Sequence, residues 1–77
     1  MTQLTRIHEI IRHNGRERDE WYLVRHPTGR RYVLLETSAM EAIPGRFKPE
    51  LTRKISVQAI LAQNNELSQK LRSILEP

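Results

Sequence analysis

Arg25, Arg30 and Arg31 flank the turn Pro27-Thr28-Gly29 within the stretch "DEWYLVRHPTGRRYVLLE". A guanidinium group is a planar fork whose paired N–H donors match phosphate and carboxylate. A second basic group follows at Arg46, Lys48, Arg53 and Lys54. Gathered on one surface, these seven side chains would neutralise several phosphates and give binding that falls steeply with salt. A two-stranded ribbon also fits the DNA major groove, where arginine takes the bidentate contact to guanine. The plainer alternative is that the charges keep a hairpin soluble and discourage edge pairing. Glu17, Asp19, Glu20 and Glu50 dilute them. The seven are taken as candidate nucleic-acid-binding residues, with DNA or RNA as the expected partner.

The histidines offer less. His8, His13 and His26 stand near Glu9, Asp19 and Glu20, and such sets can do general acid–base work on RNA. On a helix, however, His8 and His13 are five apart and do not share a face, and His26 precedes Pro27 at a turn. The chain has no glycine-rich phosphate loop, nucleophile elbow or metal-spaced triplet, and no cysteine. No catalytic residue, metal ligand or cofactor is assigned, and the expectation is a non-enzyme.

The elements that must carry these groups start with "TQLTRIHEIIRH", where Leu4, Ile7, Ile10 and Ile11 fall at helical spacing behind a possible Thr2 cap. Asn14-Gly15 can end a helix or turn a hairpin. Because "RERDE" offers nothing apolar to match Ile10 and Ile11, the helix is the favoured reading. The alternative is a first strand of a meander. The blocks Trp21-Tyr22-Leu23-Val24 and Tyr32-Val33-Leu34-Leu35 then predict a β-hairpin over 20–36. Neither block alternates, so both faces call for cover, by helices or by a second subunit. "TSAMEAI" reads as a short helical turn closed by Pro44-Gly45. "GRFKPELTRK" reads as an irregular basic connection with Phe47 anchored in the core.

From the cap Ser56, one long helix is expected to about Leu75, with Pro77 beyond it. Val57, Asn64 and Leu71 take one heptad position, and Ile60, Leu67 and Ile74 the other. That is the seam of a coiled coil with one register-setting Asn, so these six are the candidate dimer interface. The same stripe would equally pack the helix onto its own sheet.

A chain of 77 residues makes one domain of marginal core size. Eleven of the 13 Lys and Arg precede residue 55, and the +4 net charge lies wholly in that part. The chain thus divides into a basic portion, 1–54, and a neutral amphipathic portion, 55–77. No apolar run reaches membrane-spanning length and no signal-peptide core is visible, so a cytoplasmic protein is expected.

The order of the helix, "NG", "YLVRHPTGRRYVLL" and "FKPEL" resembles the HicA-type messenger-RNA-cleaving toxins, which have a double-stranded-RNA-binding-like fold. The likeness touches about a third of the chain and rests on Arg25-His26-Pro27, Gly29-Arg30 and Lys48-Pro49. It implies a small antiparallel sheet backed by helices. Where that family carries its catalytic histidine, this chain reads Asp19-Glu20-Trp21-Tyr22, so the resemblance implies no RNA cleavage here.

The expectation is therefore an α+β domain. A small antiparallel sheet built on the hairpin is packed by an N-terminal helix and a long C-terminal helix. Its expected function is that of a small basic DNA-binding regulatory protein, homodimeric. The alternative is a non-enzymatic interaction module whose Trp21/Tyr22 region and arginines hold an acidic protein partner.

Overall fold

The computed structural model describes residues 1–43 and 45–75. Four strands run in order, β1 (Gln3–Arg12), β2 (Glu17–Arg25), β3 (Arg31–Met40) and β4 (Phe47–Ile55), followed by α1 (Val57–Leu61) and α2 (Glu66–Leu75). The strands form one antiparallel meander, β1-β2-β3-β4, so β1 and β4 are the edges. The class is α+β, but four of the expected elements are replaced.

No helix forms at the N-terminus; residues 3–12 are a strand. His13, Asn14 and Gly15 take positive φ in succession (52°, 56° and 88°), and Gly15 N–H donates to the Arg12 carbonyl at 3.2 Å. Asn-Gly therefore turns a hairpin instead of ending a helix. A β-bulge between Arg6 and His8 explains the misleading spacing. The extra residue puts Ile7 and Ile10 on one face three positions apart, which is also the helical interval. The missing apolar match for Ile10 and Ile11 is made by charge instead. Arg12 Nη2 lies 3.4 Å from Glu17 and 3.0 Å from Asp19, across the strand pair.

The long C-terminal helix is also replaced, by two short ones. Asn64, expected as a buried seam amide, is exposed and left-handed at φ 53° in the break. Asn is among the few non-glycine residues that adopt this conformation cheaply. Asn65 then starts α2 with a reciprocal cap. Its Oδ1 accepts from Ser68 N–H at 2.9 Å, while its own N–H donates to Ser68 Oγ at 2.7 Å. Ser56 caps α1 as expected, its Oγ accepting from Ala59 N–H at 3.1 Å.

Residues 37–40 continue β3, and 47–55 form β4, where a helical turn and an irregular connection were expected. As an exposed edge, β4 is held by its backbone ladder to β3 and not by burial, so its residues need not alternate. Glu50 is the extra residue of a second bulge, beside Pro49, which suits an edge that lacks one donor. The expected stops at Pro44 and Pro77 lie outside the described residues.

Alternation and register sort the side chains into two faces. Thr5, Leu23, Val33 and Ile55 form one row on the helix side. There Ile7, Leu23 and Val33 meet Ile60, Leu67 and Leu71 in the core, flanked by Trp21, Val57, Leu61 and Ile74. Burying each large side chain contributes about 1.5–3 kcal/mol. The expected cover on both faces is not present among the described residues: both helices lie on one side. The opposite face is open, yet Val24 is only 2% exposed there, between Leu4 and Tyr32 in its row. The double-sided strand thus comes half from helices and half from neighbouring long side chains. No helix among the described residues is long and apolar enough to cross a membrane.

Candidate nucleic-acid interface

The cations fall into two populations. Arg6, Arg12 and Arg18, on β1 and β2, are held by carboxylates. Arg6 lies 3.6 Å from Glu20 and 3.7 Å from Glu9, and Arg12 bridges Glu17 and Asp19. Arg18 Nε sits 3.1 Å from Glu20, an ion pair whose N–H is not aligned as a hydrogen bond. The same Arg18 guanidinium lies over the Phe47 ring at 4.4 Å, so Phe47 is half-buried on the open face and not in the core. The other population is the expected set: among the described residues no ion pair engages Arg25, Arg30, Arg31, Arg46, Lys48, Arg53 or Lys54. Of the acids that dilute the sequence locally, Glu17, Asp19 and Glu20 lie on β2 and pair with Arg6, Arg12 and Arg18, while Glu50 stays on β4 near Lys48.

Those seven are not one patch. Arg25 and Arg31 stand directly opposite each other at the end of the β2–β3 hairpin, and Arg30 lies in its turn. Arg53 is opposite Leu35 and Lys54 opposite Leu34. At about 3.3 Å per residue these five lie within roughly 17 Å along the strand direction. Lys48, opposite Ala39, is eight residues along β3 from Arg31, about 26 Å away, with Arg46 further still. Within the tip group, alternation directs Arg25, Arg31 and Arg53 to the helix side and Lys54 to the open side. The charges therefore straddle the end of the sheet.

Electrostatics at that end are unresolved within the chain. Directly opposed like charges repel across a strand pair, and neither Arg25 nor Arg31 has a carboxylate partner among the described residues. Arg25 Nε is enclosed and lacks a hydrogen-bond acceptor, a state that costs free energy until an acceptor arrives. Beside the pair, a recess of about 410 Å³ is lined by Arg31, Ser56, Val57, Gln58, Leu61 and Leu75.

Two residues at the same end were passed over in the sequence. In the sequence Tyr32 reads only as an apolar strand residue, and His26 as a turn residue or as one of three histidines weighed for acid–base chemistry. On the open face their rings lie 5.6 Å apart at 36°, and Lys54 Nζ sits 5.1 Å from the Tyr32 centroid. The spacing of His26 and Tyr32 about a tight turn was the available signal. The turn itself is closed by His26 N–H to the Arg30 carbonyl at 2.9 Å, with Gly29 at φ 92°.

The histidines are dispersed. His8 Nδ1 accepts from Lys70 Nζ at 2.8 Å on the helix side, His13 Nε2 lies 3.5 Å from Glu17 at the far turn, and His26 is at the tip. Tyr22 is not a proton acceptor for neutral chemistry either. Burial, then its 2.8 Å hydrogen bond to Glu20, then the charges of Glu20 and Glu36, push its phenol up to about 12, against Arg6. Among the described residues no group of three or more His, Cys, Asp or Glu could hold a metal ion.

Five of the six seam residues are used inside the chain. Ile60, Leu67 and Leu71 are buried against the sheet, and Val57 and Ile74 pack beside them. Asn64 lies in the break. The helix expected from the HicA-type likeness is β1. No protein-family model, curated protein or solved structure matches the chain.

Proposed function

We propose that this protein binds nucleic acid through the basic end of its sheet, with Arg25, Arg30, Arg31, Arg53 and Lys54 as phosphate contacts. The observation that carries the reading is the Arg25–Arg31 pair: two arginines directly opposed in register on one face, one with an enclosed donor lacking an acceptor, and no carboxylate engaging either among the described residues. An anion placed between them relieves the repulsion and offers acceptors to the guanidinium N–H groups. A row of phosphates suits the spread of five cations over about 17 Å better than a single carboxylate does. Edge protection accounts for Lys48 on β4. It does not account for opposed arginines on an interior strand pair.

The test is a titration of labelled oligonucleotide at increasing salt. Five phosphate contacts predict a log–log slope near −3.5 for a single strand or about −4.5 for a duplex. Absence of binding at low salt, or a flat salt dependence, contradicts the proposal.

A further inference from the structure

We infer that the nucleic acid is single-stranded and that one base stacks on Tyr32. This rests on the proposed nucleic-acid reading and narrows its substrate. The first argument is curvature. The tip cations lie on both faces, Arg25 and Arg31 towards the helices and Lys54 on the open side, with Arg30 in the turn between. A ligand touching all of them bends around a sheet end about as thick as the usual face-to-face spacing, roughly 10 Å. Duplex DNA, with a persistence length of about 150 base pairs, does not follow that path. A single strand, with a freely rotating backbone, does.

Width gives the second argument. A two-stranded ribbon enters a major groove, but here the hairpin does not stand clear of its neighbours. β1 pairs along β2 to its last residue, Gln3 opposite Arg25, and β4 reaches Val33, two residues from the start of β3. About 7 Å in from the end, where β4 joins, four backbones at about 4.8 Å spacing make the sheet some 14 Å wide before side chains are added, and the groove is about 12 Å wide and about 8.5 Å deep.

The third argument is the platform. Tyr32 lies on the face that no helix covers, beside His26 and in the row of Leu4 and Val24. Lys54 is exposed, and its ammonium over the ring is a weak occupant. An exposed cation–π contact contributes a factor of about 2–5, whereas a base on an aromatic ring contributes about 5–150-fold. The base therefore displaces the ammonium, which is then free to meet the adjoining phosphate. Stacking reads no sequence, so the expected selectivity is for strandedness.

The experiment uses the full chain and labelled oligonucleotides of about 12 nucleotides: a mixed single strand, its duplex, and an abasic strand of equal length. The expected order places the single strand at least tenfold tighter than either of the others. Tyr32→Leu lowers single-strand affinity about tenfold and leaves abasic binding unchanged, while Tyr32→Phe keeps wild-type affinity. Quenching of a fluorescent adenine analogue in the wild-type complex, absent with Tyr32→Leu, reports the stack directly. Equal affinity for duplex and single strand, or no loss and no change in quenching with folded Tyr32→Leu, overturns the inference and leaves the nucleic-acid reading standing. Salt-independent or absent binding to all three oligonucleotides overturns both.

Discussion

At the residue scale, the chain separates arginines that hold the fold from arginines that are left free. Glu20 is 6% exposed and gathers Arg6, Arg18 and the Tyr22 hydroxyl around one carboxylate. A buried charge of this kind is tolerated because it is paired and hydrogen-bonded. Tyr22 carries a pH signature of the cluster. Its folded-state value, about 12, lies above the ordinary 10 because burial and the bond to Glu20 favour the protonated phenol. That contribution to stability is fully present below pH 10 and is lost as pH rises through about 12. A spectrophotometric titration is expected to show one phenol ionising near 12 together with loss of structure. Tyr22→Phe should remove that step and flatten stability between those two pH values. A Tyr22 that ionises near 10 with the fold intact contradicts the assigned cluster.

At the element scale, what could be read depended on whether local chemistry and tertiary pairing agreed. The β2–β3 hairpin was legible because the aromatic and branched blocks and the Pro-Thr-Gly turn point the same way, and Val24 does pair with Tyr32. Ser56 was legible as a cap for the same reason. β1 was not, because a bulge shifted Ile7 into a helical interval and cross-strand ion pairs took the place of apolar ones. β4 was not, because an exposed edge carries no burial pattern. The seam of Val57, Ile60, Leu67, Leu71 and Ile74 was a true apolar stripe, but it is divided by a left-handed Asn64 and faces the chain's own sheet. This account makes an opposite forecast to a continuous zipper for Asn64→Leu. A zipper gains stability from the added apolar contact. Here the left-handed backbone loses about 1–2 kcal/mol, measurable by urea unfolding, whereas Asn64→Gly is near neutral. Stabilisation by Asn64→Leu contradicts the break. The candidate site was half legible: the seven cations were named, but their division between two ends follows from the register. Tyr32 and His26 needed the open face to be seen.

At the scale of the whole molecule, a net charge of +4 understates the asymmetry. Glu9, Glu17, Asp19 and Glu20 all lie on β1 and β2, where Arg6, Arg12 and Arg18 neutralise them. The hairpin end and β4 keep cations that no acid engages among the described residues. The β1–β2 pair thus holds the sheet's ion-paired charge, while the hairpin end and β4 carry cations that no ion pair engages among the described residues, with Glu50 beside them on β4. On the proposed reading a polyanion is steered to that end, and the steering weakens with salt. The helices anchor the other side of the same rows and leave the aromatic face open. The measurement that bears most directly on this picture compares two double variants in the same oligonucleotide titration at low salt. Arg25→Ala with Arg31→Ala is expected to weaken binding at least tenfold and to reduce the salt slope by about 1.4 for a single strand, while Arg46→Ala with Lys48→Ala leaves affinity within about twofold. Equal losses from both pairs, or a larger loss from the distant pair, would contradict the assignment of binding to the hairpin end.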